Sequence, residues 1–328
     1  MKKSGLSEEV LTKILSMYGR TIFVYTGVES GYRNTSHFIR TTEGELLNFI
    51  LYKREPEIVE LIKRTNDLGM YLVTGGLPVR GPVDSRIVKV GYRYGSLYGY
   101  LGGNTIPWEA YTMKHIKLLG YGLARFHEVA EGYAGNLPDI ELVYRDITAR
   151  MVRYFTDENV RCAINQKLDF NIELPDYNGL LDFTYTLDNR TTLHMDFVRS
   201  NLLFDDASVD SELSVGTISL SGILDLEKAA RGNPVFDIAR TLAFLMVDCN
   251  KPEAKLRKYF LDSGYIKRGS RILKPIYFEG VDILERLIDL FLVYDLYKLL
   301  RQNPYGSLAE NHHFLQTCDI LKLHKVIQ

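Results

Sequence analysis

The chain has 328 residues, of which 46% are hydrophobic, 12% aromatic and 25% charged. This composition is typical of globular proteins and excludes a disordered, collagen-like or disulfide-scaffold chain. The formal net charge of -1 argues against a nucleic-acid partner, because nucleic-acid binders usually carry a basic surface. The length predicts two or three domains.

The cysteine pattern and the first residues predict neither a disulfide framework nor a metal finger nor a targeting segment. Three scattered cysteines, Cys162, Cys249 and Cys318, suit free thiols in a cytoplasmic protein. The N-terminus is basic but lacks a following apolar core, so we expect no signal peptide. The most apolar stretch, residues 283–300, contains five charged residues. It predicts a buried amphipathic helix and no membrane partner.

The first hundred residues predict a small antiparallel sheet with one long helix. A capping Ser7 and apolar residues at helical spacing predict a short helix over 8–18. Helical spacing from Ile58 to Gly75 predicts the long helix. Extended patterns predict strands at 21–25, 36–40 and 46–53 and within the Gly/Tyr-rich tract 90–103.

Helical patterns predominate beyond Gly103. We expect helices over 107–129, over 138–156 and from Pro234 onward, with two short strands at 192–196 and 219–225. The glycine-rich run 98–103 suits a hinge between two lobes. We therefore divide the chain into an N-terminal nucleotide-binding sheet lobe, 1–101, and a larger helical lobe, 102–328.

One stretch contains the residue types that phosphoryl transfer needs. His194 precedes Asp196 by two residues, and Asn201 follows Asp196 by five. A carboxylate can align a nucleophile and accept its proton, and a nearby amide oxygen can hold a magnesium ion. Asp225 follows an apolar strand pattern, as the magnesium-binding Asp of kinases does. A lone His-x-Asp pair is more often structural, but the presence of Asn201 and Asp225 at these spacings favours catalysis.

Four segments together resemble the aminoglycoside phosphotransferase and choline kinase-like family. They are 120–127, 194–201, 222–229 and 232–239, and the resemblance extends over residues 20–300. It implies an α+β, two-lobed protein-kinase-like fold, in which a small antiparallel β-sheet lobe with one helix precedes a larger, mainly helical lobe. It also implies ATP and Mg²⁺ as cofactors and transfer of the γ-phosphate to a hydroxyl group of a small molecule.

The resemblance assigns roles to five residues. Asp196 would be the catalytic base, and His194 would brace the catalytic loop. Asn201 and Asp225 would hold Mg²⁺ against the phosphates of ATP. Asp237 would hold the loop through its backbone.

The turn that contains Gly27, Ser30 and Gly31 resembles the nucleotide-covering turn of the family. Glycine there would let backbone N–H groups approach phosphates. An ordinary hairpin turn has the same composition. Tyr98 and Tyr100 are further candidates for nucleotide contact, although sheet packing explains their alternation more simply.

Lys53, at the end of the third predicted strand, is the candidate for the lysine that pairs with the α- and β-phosphates. The register of this strand is open. Because side chains alternate between the two faces of a strand, a slip of one residue would present Tyr52 or Arg54 instead.

The cleft carboxylates are less clearly assigned. The family's carboxylate on the helix after that strand has no counterpart at residues 64–66, and Glu57 and Glu60 are the available substitutes. Glu227 is compatible with a second metal site, with a basic partner and with plain exposure.

The missing helix carboxylate supports an alternative hypothesis, a catalytically weak nucleotide-binding or regulatory module on the same fold. A metal-dependent phosphoesterase is a third hypothesis. It is less favoured, because no metal-ligating histidine pair accompanies the three polar residues Asp196, Asn201 and Asp225.

The acceptor is a small molecule with a hydroxyl group, and acidic and aromatic side chains would suit a cationic one. The candidate contacts are Glu285, Asp289, Tyr294 and Asp295 on the helix 281–301, with Trp108 and Glu109. The charged outer face of an ordinary helix is the alternative for each residue. An aminoglycoside, choline, homoserine, a sugar and a cellular alcohol are the alternative acceptors that the family resemblance implies.

Overall fold

The computed structural model describes residues 6–30, 34–206, 212–249, 251–267 and 274–328. Its helices are α1 (Glu8–Met17), α2 (Ile58–Thr74), α3 (Met113–Ala130), α4 (Ile140–Phe155), α5 (Glu158–Leu168), α6 (Tyr177–Tyr185), α7 (Val235–Asp248), α8 (Glu253–Leu256), α9 (Ile283–Gln302), α10 (Tyr305–Leu308) and α11 (His312–Leu323). Its strands are β1 (Ile22–Ser30), β2 (Thr35–Thr41), β3 (Leu46–Leu51), β4 (Val88–Val90), β5 (Arg93–Gly99), β6 (Thr191–Leu193), β7 (Leu202–Asp206), β8 (Ser214–Val215), β9 (Ile218–Ile223), β10 (Ala230–Gly232), β11 (Tyr277–Phe278) and β12 (Val281–Asp282).

The N-terminal lobe is an antiparallel sheet with a helix on each face. Its strand order is β1-β2-β3-β5-β4, and every neighbouring pair is antiparallel. Because side chains alternate across a strand, Phe49 of β3 lies in the cluster that contains Leu11 of α1. Ile50 lies on the opposite face, in the cluster that contains Ile62 of α2. Burial on both faces explains why β3 is apolar almost throughout.

The third strand ends at Leu51, so the prediction that Lys53 ends it was wrong. The guanidinium of Arg93 donates hydrogen bonds to the carbonyl oxygens of Leu51 and Tyr52, at 2.6 and 2.7 Å. The backbone N–H of Lys53 donates to Oδ1 of Asn34 at 3.1 Å. The chain therefore leaves the sheet here, and Lys53 is exposed.

The helix predicted over 107–129 begins later, at Met113. A capping box fixes its start, since the backbone N–H of Thr112 donates to Nδ1 of His115 at 3.0 Å. Before it lies only a single 3-10 turn, Trp108–Ala110.

The helical lobe contains one tight helix contact that depends on glycine. α3 packs against a π-helical segment, Arg257–Ile266. A Cβ on Gly120 would lie 2.0 Å from the carbonyl oxygen of Phe260, and one on Gly264 would lie 2.7 Å from that of Lys117. Both distances are shorter than van der Waals contact, so the two elements pack this closely only because both positions are glycine.

The predicted amphipathic helix over 283–300 is α9, and its acidic residues are less exposed than the pattern suggests. Asp289 and Asp295 are both buried, where they contact His324 and Arg240. No helix within the described ranges is long and apolar enough to cross a membrane.

The connection between the lobes is bonded to the helical lobe. Asn104 exchanges two backbone hydrogen bonds with Phe204, both of 2.9 Å. Gly103 has a φ of 108°, and a Cβ there would lie 2.2 Å from Oγ of Ser221, so only glycine fits. The predicted boundary after residue 101 falls in this connection and stays a prediction.

The contact between His324 and α9 makes the stability of the fold depend on pH. Nδ1 of His324 lies 2.6 Å from Oδ1 of Asp289, and this hydrogen bond is the main cause of the raised pKa of His324. The stabilisation is fully present below the unfolded pKa of about 6.5 and is lost as pH rises through the higher folded pKa.

We therefore expect His324→Gln to lower Tm most near pH 6 and progressively less as pH rises above about 7. Thermal unfolding of both proteins across this range measures the difference. A difference in Tm that is constant with pH, or that grows as pH rises, would contradict the assigned ion pair.

Candidate active site

The catalytic-loop segment is held by one buried carboxylate. Oδ2 of Asp237 accepts the backbone N–H of His194 at 2.7 Å, and Oδ1 accepts that of Met195 at 2.6 Å. Met195 has a φ of 59°, which is unfavourable for a side chain of this size. The two charge-assisted bonds hold the loop in this conformation and so set the direction in which it continues.

Two histidines connect Asp237 and the loop to α3 and to the segment that follows β9. Nε2 of His127, on α3, lies 2.9 Å from Oδ2 of Asp237. Nδ1 of His194 accepts the backbone N–H of Asp196 at 3.2 Å, so its proton is on Nε2, which donates to the carbonyl oxygen of Leu224 at 3.1 Å. Burial lowers the pKa of His194, consistent with this neutral form. His194 thus joins the loop to the segment before Asp225.

Asn201 and Asp225 lie beside Asp196. Nδ2 of Asn201 donates to the backbone oxygen of Asp196 at 3.0 Å and to its Oδ2 at 3.1 Å. The backbone N–H of Leu224 donates to the carbonyl oxygen of Asn201 at 2.8 Å, which brings Asp225 next to Asn201. The three residues that the sequence selected are therefore together.

These residues offer oxygen ligands for a hard cation. Since Nδ2 of Asn201 is used by Asp196, its Oδ1 is the atom left for a metal. In the described part of the chain, no group of three His, Cys, Asp or Glu residues could hold a metal. One carboxylate and one amide oxygen fit Mg²⁺, which commonly takes its other ligands from water and phosphates.

Glu227 connects the two lobes across the cleft. Its Oε1 accepts a hydrogen bond from Nδ2 of Asn34 at 2.7 Å, and its backbone N–H donates to Oδ1 of Asp225 at 3.2 Å. Of the open alternatives, plain exposure is therefore wrong, because Glu227 is half-buried and bonded.

The predicted nucleotide-covering turn is only partly described. Gly27 lies within β1 opposite Phe38, next to a register shift, and Ser30 is the last residue of that strand. Gly31 lies outside the described residues. Tyr100 is 45% exposed, and its ring contacts that of Phe38 edge-on at 5.9 Å.

The side chains of β3 that face α2 are uncharged. Tyr52, rather than Lys53, faces inward and is buried with Ile50 and Tyr98. Lys53 instead borders a hollow that Arg54 and other outer residues line. Its predicted contact with phosphates stays a prediction.

A chain of neutral hydrogen bonds lies where the family's carboxylate was expected. The hydroxyl groups of Tyr52 and Tyr98 are 2.7 Å apart, and Tyr98 donates to Oδ1 of Asn66 at 2.7 Å. Nδ2 of Asn66 donates to Oγ of Ser96 at 3.0 Å. Tyr98 therefore serves in sheet-to-helix packing. Sequence reasoning noted that residues 64–66 are not acidic but did not find the role of Asn66.

A cavity of about 320 Å³ lies beside the catalytic loop. Its polar lining includes Arg64, Tyr144, Glu227, Lys228, Arg240, Tyr294 and Lys298. Nζ of Lys228 is 2.9 Å from Oδ2 of Asp196, so the cavity reaches the predicted catalytic base. An acceptor molecule in this cavity would have its hydroxyl group next to Asp196.

Two cations of this cavity, Arg240 and Lys298, contact a second buried carboxylate, Asp295. Arg240 contacts both oxygens of Asp295, at 3.0 and 3.3 Å, and Nζ of Lys298 lies 2.6 Å from Oδ1. Burial opposes the charge on Asp295, but the two cations outweigh it and lower the pKa of this carboxyl. The sequence signal for Arg240 was a charged residue in the middle of the mostly apolar α7, one turn after Asp237.

Most acidic residues that the sequence offered for a cationic acceptor already have partners. Glu285 contacts Arg257 at 2.8 Å, and Asp289 contacts His324. Trp108 is buried against Tyr111, and Glu109 is exposed. Of the predicted set, only Tyr294 lines the cavity, with Asp295 behind it.

Comparisons with known proteins show the family to which the chain belongs. Residues 24–270 match the phosphotransferase enzyme family (APH). Homoserine kinase of Burkholderia lata is 26% identical over 257 residues, which cover 73% of this chain and 71% of that protein. Homoserine kinase of Burkholderia thailandensis is 26% identical over 255 residues, 73% and 72% of the two chains.

Solved structures show the same fold at low identity. The amicoumacin kinase hAmiN has a TM-score of 0.63 at 12% identity, covering 96% of this chain and 94% of that one. The microcompartment-associated aminopropanol kinase has a TM-score of 0.61 at 17% identity, covering 97% of each chain. The predicted two-lobed, kinase-like fold is confirmed. With more than half of its length matched, the chain belongs to the phosphotransferase enzyme family and is a small-molecule kinase with a hydroxyl acceptor.

Proposed function

We propose that the protein transfers the γ-phosphoryl group of ATP, with Mg²⁺, to a hydroxyl group of a small carboxylate-bearing molecule, with Asp196 as the catalytic base. The observation that supports this most directly is the position of Asp196, whose Oδ2 contacts both Asn201 and Lys228, a residue that lines the cavity. A nucleophile from the cavity and a phosphoryl group from the cleft would meet at this carboxylate.

The hydrogen bonds of Asp196 indicate which oxygen accepts the proton. Asn201 and Lys228 both contact Oδ2. Oδ1 is then the atom that would align the hydroxyl group and take its proton as the new O–P bond forms. Because Asn201 fixes the carboxylate, little reorganisation is needed during the reaction.

Asn201 and Asp225 would hold Mg²⁺, which when bound neutralises negative charge on the phosphates. Their oxygen donors support a hard divalent cation. The structural neighbour hAmiN was solved with AMP-PNP and Ca²⁺. This supports binding of a nucleoside triphosphate with a divalent metal by this chain as well.

Asp196→Ala should lower kcat by about 10²- to 10⁴-fold, the usual contribution of a general base. Circular dichroism should show an unchanged fold, because Asp237 rather than Asp196 holds the loop. The exposed Asp319 on α11 provides the matched control, and Asp319→Ala should keep wild-type turnover. ADP formation with a responsive acceptor measures both variants. Unchanged turnover in Asp196→Ala would refute the assignment.

The charges around the cavity favour an acidic acceptor over a cationic one. The lining and its ion partners include four cations, Arg64, Lys228, Arg240 and Lys298, and three carboxylates, Asp196, Glu227 and Asp295. A carboxylate on the acceptor would balance the remaining positive charge, whereas an ammonium group alone would add to it. The named substrate of the homoserine kinase relatives is a hydroxy amino acid, which supports the same class here.

Lys298→Met should raise KM for a small hydroxy acid about tenfold or more, the usual effect of losing a hydrogen bond to a charged group. Asp295 keeps Arg240 as its partner, so the fold should survive. The matched control is Lys322→Met on the exposed side of α11. Steady-state kinetics with a hydroxy acid and with the corresponding amino alcohol check this. A preference of the wild type for the amino alcohol would contradict the acidic acceptor.

A second candidate function is a nucleotide-binding module with little catalysis. The supporting observation is that β3 presents no cation toward α2. Thermal shift by Mg·ATP, without ADP formation on any hydroxy acid, amino alcohol or sugar, would favour the module over the kinase.

A further inference from the structure

The cleft needs a positive charge that the third strand does not supply. In kinases a lysine on this strand pairs with the α- and β-phosphates. Here the inward side chains are Ile50 and Tyr52, and Lys53 is exposed beyond the strand end. If the protein binds ATP, another cation must lie near the phosphates.

The loop 77–83 crosses between the two lobes and contains such a cation, Arg80. On one side the backbone N–H of Arg80 donates to the carbonyl oxygen of Ile223 at 3.1 Å, two residues before Asp225. On the other side the carbonyl oxygen of Gly81 accepts the backbone N–H of Gly99 in β5 at 3.2 Å. Arg80 is therefore held at the junction of the sheet with the metal-binding segment.

The packing of α2 makes this position possible. A Cβ on Gly69 would lie 3.3 Å from both the carbonyl oxygen of Arg80 and Cδ of Pro82. Glycine at this helical position thus lets the loop lie directly against α2. The backbone of Arg80 is fixed by contacts on three elements, and its side chain is half-buried.

The guanidinium of Arg80 lies over the ring of Tyr98. Its central carbon is 5.5 Å from the centre of the Tyr98 ring. Burial raises the pKa of Tyr52 and of Tyr98, and the charge of Arg80 acts against this rise while that of Glu227 adds to it. The two hydroxyl groups, Glu227 and the guanidinium therefore share one region. Within the described ranges Arg80 forms no ion pair, so its charge is available to a ligand.

We propose that Arg80 binds the α- and β-phosphates of the nucleotide and replaces the strand lysine of kinases. This inference rests on the proposed function, because it requires a nucleotide in the cleft. A planar guanidinium can donate two parallel hydrogen bonds to phosphate oxygens. The chain Tyr52, Tyr98 and Asn66 supports the ring beneath it, as an ion pair with a helix carboxylate would support a lysine.

The experiment measures binding of Mg·ATP, Mg·ADP and adenosine to the full chain by isothermal titration calorimetry. Arg80→Met should weaken both nucleotides about tenfold to a hundredfold, as expected for lost bonds to a charged group, and leave adenosine binding unchanged. Lys53→Met tests the rival cation. The control is Lys89→Met, which removes an exposed charge of the same lobe on β4.

The outcomes distinguish the role of Arg80 in phosphate binding from the proposed function of the protein. Wild-type nucleotide affinity in Arg80→Met, or an equal loss for adenosine, would overturn the role of Arg80, and a selective loss in Lys53→Met would assign it to Lys53 instead. Failure of the wild type to bind Mg·ATP would refute the proposed function itself. If circular dichroism shows that Arg80→Met is unfolded, Arg80→Gln, which keeps a polar but shorter side chain without the charge, decides the same question.

Discussion

The active site depends on the bonds between Asp237 and the backbone of the catalytic loop. A left-handed turn at Met195 costs on the order of 1–3 kcal/mol and persists only where its surroundings fix it. Two backbone N–H groups at 2.7 and 2.6 Å supply that restraint. The buried carboxylate in turn needs these donors and His127, because an uncompensated buried charge is strongly unfavourable. Loop, α3 and α7 therefore stabilise one another, and the position of Asp196 follows from them.

The part of the site that the sequence predicted is the part built from neighbours in the chain. His194, Asp196 and Asn201 lie within eight residues, and the pairing of Leu202 with Ile223 brings Asp225 to them. Residues at fixed short spacing on adjacent strands keep their relation in any structure that forms the strands. The order of helices and strands was predictable for the same reason, since hydrophobic periodicity is a local property.

What the sequence did not predict depends on distant contacts. β3 ends at Leu51, where Arg93, some forty residues later, donates hydrogen bonds to the carbonyl oxygens of Leu51 and Tyr52. The cavity charges depend on Arg240 meeting Asp295 across 55 residues. In this ion pair Asp295 already neutralises a cation, although the sequence pattern had suggested it as a contact for a cationic acceptor. A net charge of -1 likewise hides the local excess of cations near Asp196, because screening and distance make only nearby charges matter to a ligand.

The central claim is that Asp237 places Asp196, the proposed catalytic carboxylate, and Asp237→Asn tests it most directly. In either orientation the amide would set its N–H₂ group against a backbone N–H, that of His194 or that of Met195, so one restraint on the loop would be lost. Misplacement of a reacting group by about 1 Å can cost about 10²-fold in rate. We predict a fall of this size in kcat, with the fold retained by circular dichroism and Mg·ATP affinity nearly unchanged. A folded Asp237→Asn enzyme with wild-type kcat would contradict the account.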